Sequence, residues 1–221
     1  MNRMNRNNRH WPNNTQQIMN KLHQVILVSL LVLAAACQSS AKKDKKVEET
    51  VTKVEVETTN ESVDMSAFFS AALDGDLDKV KYALDNGADV NALDENQHSA
   101  LMLAAYNGHH HILKVLIDKG ATIDAVDATN RTPLMFASTG PFVQAVEMLI
   151  KAGADVNATD NHENWTPVMF AAGEGQIEVI KLLVANGADL SKVDVDGESA
   201  LDFAQTNGHT ATVEYLKPLM K

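Results

Sequence analysis

The chain has 221 residues, with 19 lysines and arginines against 29 aspartates and glutamates, and a formal net charge of −10 at pH 7. Such a balance repels phosphate backbones and argues against nucleic acid as a partner, although acidity also simply keeps a protein soluble. A single cysteine excludes an internal disulfide framework.

The first element is an apolar stretch, Val25 to Ala36, VILVSLLVLAAA. It is too short to span a bilayer, which takes roughly 20 residues, and has the length of a signal-peptide core. Small residues precede Cys37, and Ala34-Ala35-Ala36-Cys37 with Leu33 upstream resembles the lipobox of bacterial lipoproteins. The resemblance implies cleavage of residues 1–36 and acylation of Cys37. Ala34 departs from the more usual leucine. An uncleaved signal anchor and a chance match are the alternatives. Two or more acyl chains, at about 0.8 kcal/mol per buried methylene, make a durable membrane anchor. Gln38 after the cysteine implies outer-membrane delivery, facing the periplasm. Met19 begins a compact signal with Lys21 at its positive end, so it is the expected start, with a long leading region as the other reading. Removing residues 1–36 leaves 15 basic side chains against 29 acidic ones.

Residues 37–60 and a few beyond, through QSSAKKDKKVEETVTKVEVETTNESVD, are charged and rich in threonine and serine, without an aromatic. They cannot bury enough apolar surface to fold alone and are expected to form a tether. About 25 residues of coil span roughly 25–30 Å.

From residue 61 to 221 two phrases recur in phase. NGADVNALD, KGATIDAVD, AGADVNATD and NGADLSKVD carry Gly87, Gly120, Gly153 and Gly187, spaced 33, 33 and 34 residues apart. HSALMLAAYNGH, RTPLMFASTGPF, WTPVMFAAGEGQ and ESALDFAQTNGH keep the same interval. A 33-residue period with TPLH-like openings resembles the ankyrin repeat family. Thr132 and Thr166 stand where a hydroxyl caps a helix, ahead of Pro133 and Pro167 at the first helical position; Ser99 and Ser199 keep the cap without the proline. A second helix follows, with Ile177, Ile180, Leu183 and Val184 expected on one face. The four glycines end these helices with positive φ. The expected fold is an all-α solenoid of helix-turn-helix units with β-turn fingers, divided as 61–93, 94–126, 127–159, 160–193 and 194–221. No such unit buries its apolar face alone.

Several departures carry information. Met102, Met135 and Met169, and Asp202, replace the family's TPLH histidine. A methionine row admits a soft-metal reading, but an adaptable core filler is the commoner use. Pro141 stands where other units have Gly108, Gly175 and Gly208, and DNHENWTP carries one extra residue. His109-His110-His111 invites a metal reading, yet consecutive helical residues diverge, and a solvated helix start is expected instead. There is no phosphate loop, nucleophile elbow or paired set of metal ligands, so neither a catalyst nor a cofactor site is expected.

The resemblance implies a binder whose fingers and first helices form an extended concave face for a protein partner, and the acidity suits a basic one. Outward positions there include Glu95, His98, Tyr106, Asn107, Arg131, Trp165 and Glu174. Trp165, Tyr106 and Arg131 are the residue types that dominate interface hot spots. Trp165 either faces a partner or folds onto its own longer finger. Two roles fit: a membrane-tethered periplasmic adaptor, or an immunity-type inhibitor of a toxin or enzyme in the envelope.

Overall fold

Helix formation starts at caps. The computed structural model describes residues 63–220, all within one compact unit, Thr59–Lys221. The expected signal segment, Met19, Cys37 and the expected tether up to residue 62 lie outside the described residues, whereas Asp64, read as the tether's last residue, caps a helix. Asp64 and Asp76 accept the Ala67 and Lys79 N–H groups at 3.1 Å, opening α1 (Met65–Asp74) and α2 (Leu77–Asp85). Ser99, Thr132 and Ser199 accept from the Met102, Met135 and Asp202 N–H groups at 3.2, 3.4 and 3.4 Å. Each satisfies one orphan donor of its helix. These open α3 (Ala100–Tyr106), α5 (Pro133–Ser138) and α9 (Ala200–Thr206). Thr166 keeps the same capping-box arrangement with Met169 ahead of α7 (Pro167–Gly173), but its buried hydroxyl stands too far from the Met169 N–H for a full hydrogen bond.

The methionines have a local role. The sulfurs of Met102, Met135 and Met169 accept the cap N–H groups of Ser99, Thr132 and Thr166 at 3.5, 3.4 and 3.4 Å. Asp202 does the same with oxygen, taking the Ser199 N–H at 2.8 Å and its hydroxyl at 2.6 Å.

The second helices are α2 and, in the later units, α4 (His110–Asp118), α6 (Val143–Lys151), α8 (Ile177–Ala185) and α10 (Thr210–Leu216). First helices pack on first helices and second on second, unit after unit, so the core runs the length of the array. Alanines such as Ala104, Ala105, Ala171 and Ala172 let the first helices approach. On α8 the buried face is Val179, Ile180 and Leu183, whereas Ile177 and Val184 flank it half-buried. The face is therefore turned from the expected one, because Val179 and Leu183, one turn apart, both point inward. Gly87, Gly120, Gly153 and Gly187 leave their helices at φ of 95, 88, 99 and 89°, as the repeat predicts. Pro218 follows the end of α10, where a helix cannot continue. Among the described residues there are ten helices and no strand, only isolated bridges at Leu93–Ser99 and Val193–Ser199, and no helix is long and apolar enough to cross a membrane.

Side-chain amides fasten neighbouring units. Asn91 donates to Gly120 O at 3.3 Å and accepts from Thr122 N at 2.8 Å; Asn157 repeats this with Gly187 O and Asp189 N at 2.9 and 2.8 Å. The inter-helix turns hold a second fastening. His109 Nε2 and Asn107 Nδ2 both reach Leu73 O in the last turn of α1, at 2.9 and 2.7 Å. His209 and Asn207 grip Gly173 O in the same way, at 2.9 and 2.8 Å. His109 is thus an inter-unit clasp rather than a solvated helix start. Its imidazole lies so close over Gly75 that a Cβ there would meet the ring at 2.7 Å. In the third unit Phe142 replaces the clasp and lies over Gly108, while Pro141 and Gly140 form a turn with no left-handed residue.

Candidate functional site

Each fingertip is built on one aspartate. Asp94 Oδ1 accepts from Asn96 N and His98 N at 2.8 and 2.7 Å, and Asp127 Oδ1 from Thr129 N and Arg131 N at 2.8 and 2.9 Å. Asp194 repeats the pattern with Asp196 and Glu198 at 2.9 and 2.8 Å. In the fourth unit the extra residue shifts the contacts outward: Asp160 Oδ1 accepts from Glu163 N and Trp165 N, both at 3.0 Å. A left-handed residue closes each loop, namely Gln97, Asn130, Asn164 and Gly197 at φ of 64, 60, 60 and 81°.

The next residue in each loop is His98, Arg131, Trp165 or Glu198, immediately before the helix cap. These four are equivalent positions, one per unit, and form a row beside the first helices. Beneath three of them lies an aromatic floor. The His98 and Tyr106 rings stand edge-on to Phe136 at 5.7 and 6.2 Å, and the Arg131 guanidinium lies over the same ring at 4.8 Å. Trp165 meets Phe170 at 5.2 Å and Phe203 at 4.8 Å, so it bridges the fourth and fifth units. It is half-buried, and its indole N–H is buried without an acceptor among the described residues. It therefore packs against a helix of its own unit and one of the next while part of it stays exposed. The floor had a signal in the sequence: Phe136, Phe170 and Phe203 each follow the third helical residue at the repeat interval.

Charge organises the middle of the row. Arg131 Nη2 and Nε converge on Asp127 Oδ2 at 2.7 and 2.8 Å, and the Asp127 side chain is only 2% exposed. Burial pushes the Asp127 carboxyl up, but the Arg131 backbone N–H, its charge and its guanidinium, with Thr129, hold it below the usual carboxylate range. His98 connects two fingers, with Nδ1 3.3 Å from Asp94 Oδ2 and Nε2 3.9 Å from Asp127 Oδ2.

The other expected site residues fall differently. Glu95 is exposed at a fingertip, and Glu174 is exposed at the end of α7. Asn107 is exposed, but its amide is committed to the clasp on Leu73. The His110 and His111 rings lie 4.0 Å apart between centroids, tilted by 44°, while His109 turns away to Leu73. The arrangement presents mixed aromatic and charged surface, the chemistry of recognition.

No curated protein matches the chain. The family model described as ankyrin repeats (3 copies) matches residues 68–160 and 143–219. Those segments take in nearly all of the helical array just described, fingertips included, and the chain belongs to the ankyrin repeat family.

Proposed function

We propose that this protein is a membrane-tethered adaptor of the bacterial cell envelope, holding a protein partner close to the bilayer. Ankyrin repeats are protein–protein interaction modules. The observation that carries the reading is the row of His98, Arg131 and Trp165 set over Phe136, Phe170 and Phe203. Aromatic and arginine side chains on a packed support lose little freedom on binding and supply most hot-spot energy. The stretch LVLAAAC supports the tether, with Cys37 as the lipid attachment point.

The test uses the full chain in a bacterial host with a photo-crosslinking residue at exposed Ala128, and a control at exposed Lys81 on α2. One discrete adduct from position 128 and none from 81 is expected; the reverse pattern would move the site to the other face. Replacing Cys37 by Ser should abolish lipid labelling and release the protein from the membrane fraction, and equal labelling of both chains would remove the tether. A partner that keeps its activity in the complex is the adaptor's client. A partner silenced by it would make the protein an inhibitor.

A further inference from the structure

Polar fastenings join neighbouring units at the finger bases, the fingertips and the inter-helix turns, and one junction is deficient in all of them. At the bases Asn91 and Asn157 each donate to a glycine carbonyl of the next unit and accept a backbone N–H at 2.8 Å. The equivalent residue between the second and third units is Asp124. Its carboxylate only accepts, and it shares the Asp155 N–H between both oxygens at 3.2 and 3.3 Å. At the tips Asn161 N donates to Thr129 O and Val195 N to Glu163 O, at 3.0 and 3.1 Å. Among the described residues no such bond joins loop 94–98 to loop 127–131. At the turns His109 with Asn107 holds Leu73 O, Gln176 reaches Thr139 O at 3.4 Å, and His209 with Asn207 holds Gly173 O. Between the second and third units the equivalent residues are Phe142 and Gly140, which have no side-chain donor.

We infer that the junction between the second and third units is a flexing point built into the array, about which the first two units rock against the last three. What holds this junction is packing. Phe136 of α5 takes the His98 and Tyr106 rings of the second unit edge-on, and Phe142 lies over Gly108. His98 Nε2 stands 3.9 Å from Asp127 Oδ2, beyond hydrogen-bond reach. Apolar burial is non-directional, so it resists separation of the two units while tolerating small rotations between them. A hydrogen bond at either end of the junction would oppose those rotations, because it weakens steeply with angle. Each interface of a solenoid contributes its own free energy, and motion begins where that contribution is least directional and least redundant. The inference goes beyond the adaptor reading and does not depend on the partner. Its consequence falls on the recognition row, where His98 and Tyr106 stand on one side of the junction and Arg131 and Trp165 on the other. Rocking there changes their spacing and fits the row to a partner's contour.

The test uses the full chain carrying Cys37→Ser, with pairs of spin labels on cysteines introduced at exposed, equivalent fingertip positions. One pair replaces Glu95 and Asn161, the other Ala128 and Val195. Both pairs span the junction between the third and fourth units. The first adds the second–third junction and the second adds the fourth–fifth, so their difference compares those two. The Glu95 and Asn161 pair should give the broader distance distribution. Asp124→Asn with Phe142→His supplies the missing donors and should narrow that distribution to the width of the other pair, which stays unchanged. Equal widths without these substitutions, or a first pair left as broad by them, overturns the inference. Asp124→Asn alone guards against misfolding of the double variant. It should slow hydrogen exchange at the Asp155 N–H about three- to ten-fold, the worth of one further hydrogen bond across the junction. Unchanged exchange there also overturns the inference.

Discussion

The third and fourth units place the same aspartate in the same loop and load it differently. Asp127 holds two backbone N–H groups and the Arg131 guanidinium, with its side chain almost fully enclosed. Asp160 holds two backbone N–H groups across a loop longer by one residue, and its neighbour in the row is an indole spread over two phenylalanines. The difference shows which part of the fingertip is architecture. Both loops need the carboxylate's grip on the backbone; the residue beyond the left-handed position is free to vary, and there each unit acquires its own surface.

The largest expected effect breaks the ionic member of this pair. Asp127→Ala strips Arg131 of its partner and releases Thr129 and Arg131 N–H together, and should cost about 3–5 kcal/mol of stability. Trp165→Ala removes an aromatic bridge between two units; because the indole is half-buried, the cost should be about 2 kcal/mol, below that of a core aromatic. Asp160→Ala leaves two N–H groups seeking other partners without stranding a charge, and should cost about 1–2 kcal/mol. Denaturant midpoints of the full chain rank the three. Equal losses for Asp127→Ala and Asp160→Ala would mean the ion pair contributes nothing beyond the loop's hydrogen bonds.

Much of this was legible beforehand, for a physical reason: a solenoid repeats its local rules. The paired helices, the Ser99, Thr132 and Ser199 caps and the glycine exits follow from residues a few positions apart. The recurring Asp94, Asp127, Asp160 and Asp194 also stand at the repeat interval, and Asn-Gly-His occurs twice, at 107–109 and 207–209. The clasps those histidines make were nevertheless missed, because their acceptors, Leu73 and Gly173, lie 36 residues upstream. The packing of Trp165 was not legible for a similar reason. Its two supports belong to different units, and the inserted residue that sets its direction has no counterpart in the other loops. The Thr166 cap shows the limit from the other side: the capping-box arrangement is kept, while its hydroxyl stands too far for a full hydrogen bond.

The finest contrast is with pH. The Asp127 carboxyl is held below its ordinary value despite burial, through the Arg131 N–H and charge and the Thr129 contacts. In the unfolded chain it returns to about 3.9. The unfolded state then binds the proton more readily, so this contribution is fully present above that value and is lost as pH falls through the lower folded value. Asp76, Asp189 and Asp202 are also held low, by hydrogen bonds from Lys79, Ser191 and Ser199. They titrate equally in a variant with Asp127→Asn, whose amide cannot, so the difference between the two stability curves isolates Asp127. Below about pH 4 the native chain should lose stability more steeply than this variant. Arg131→Gln should flatten the native curve toward it, because the cation that favours the carboxylate is gone. Parallel curves for the native chain and Asp127→Asn would show that the Arg131 charge does not set the protonation of the third fingertip, and the contrast with the fourth would then rest on packing alone.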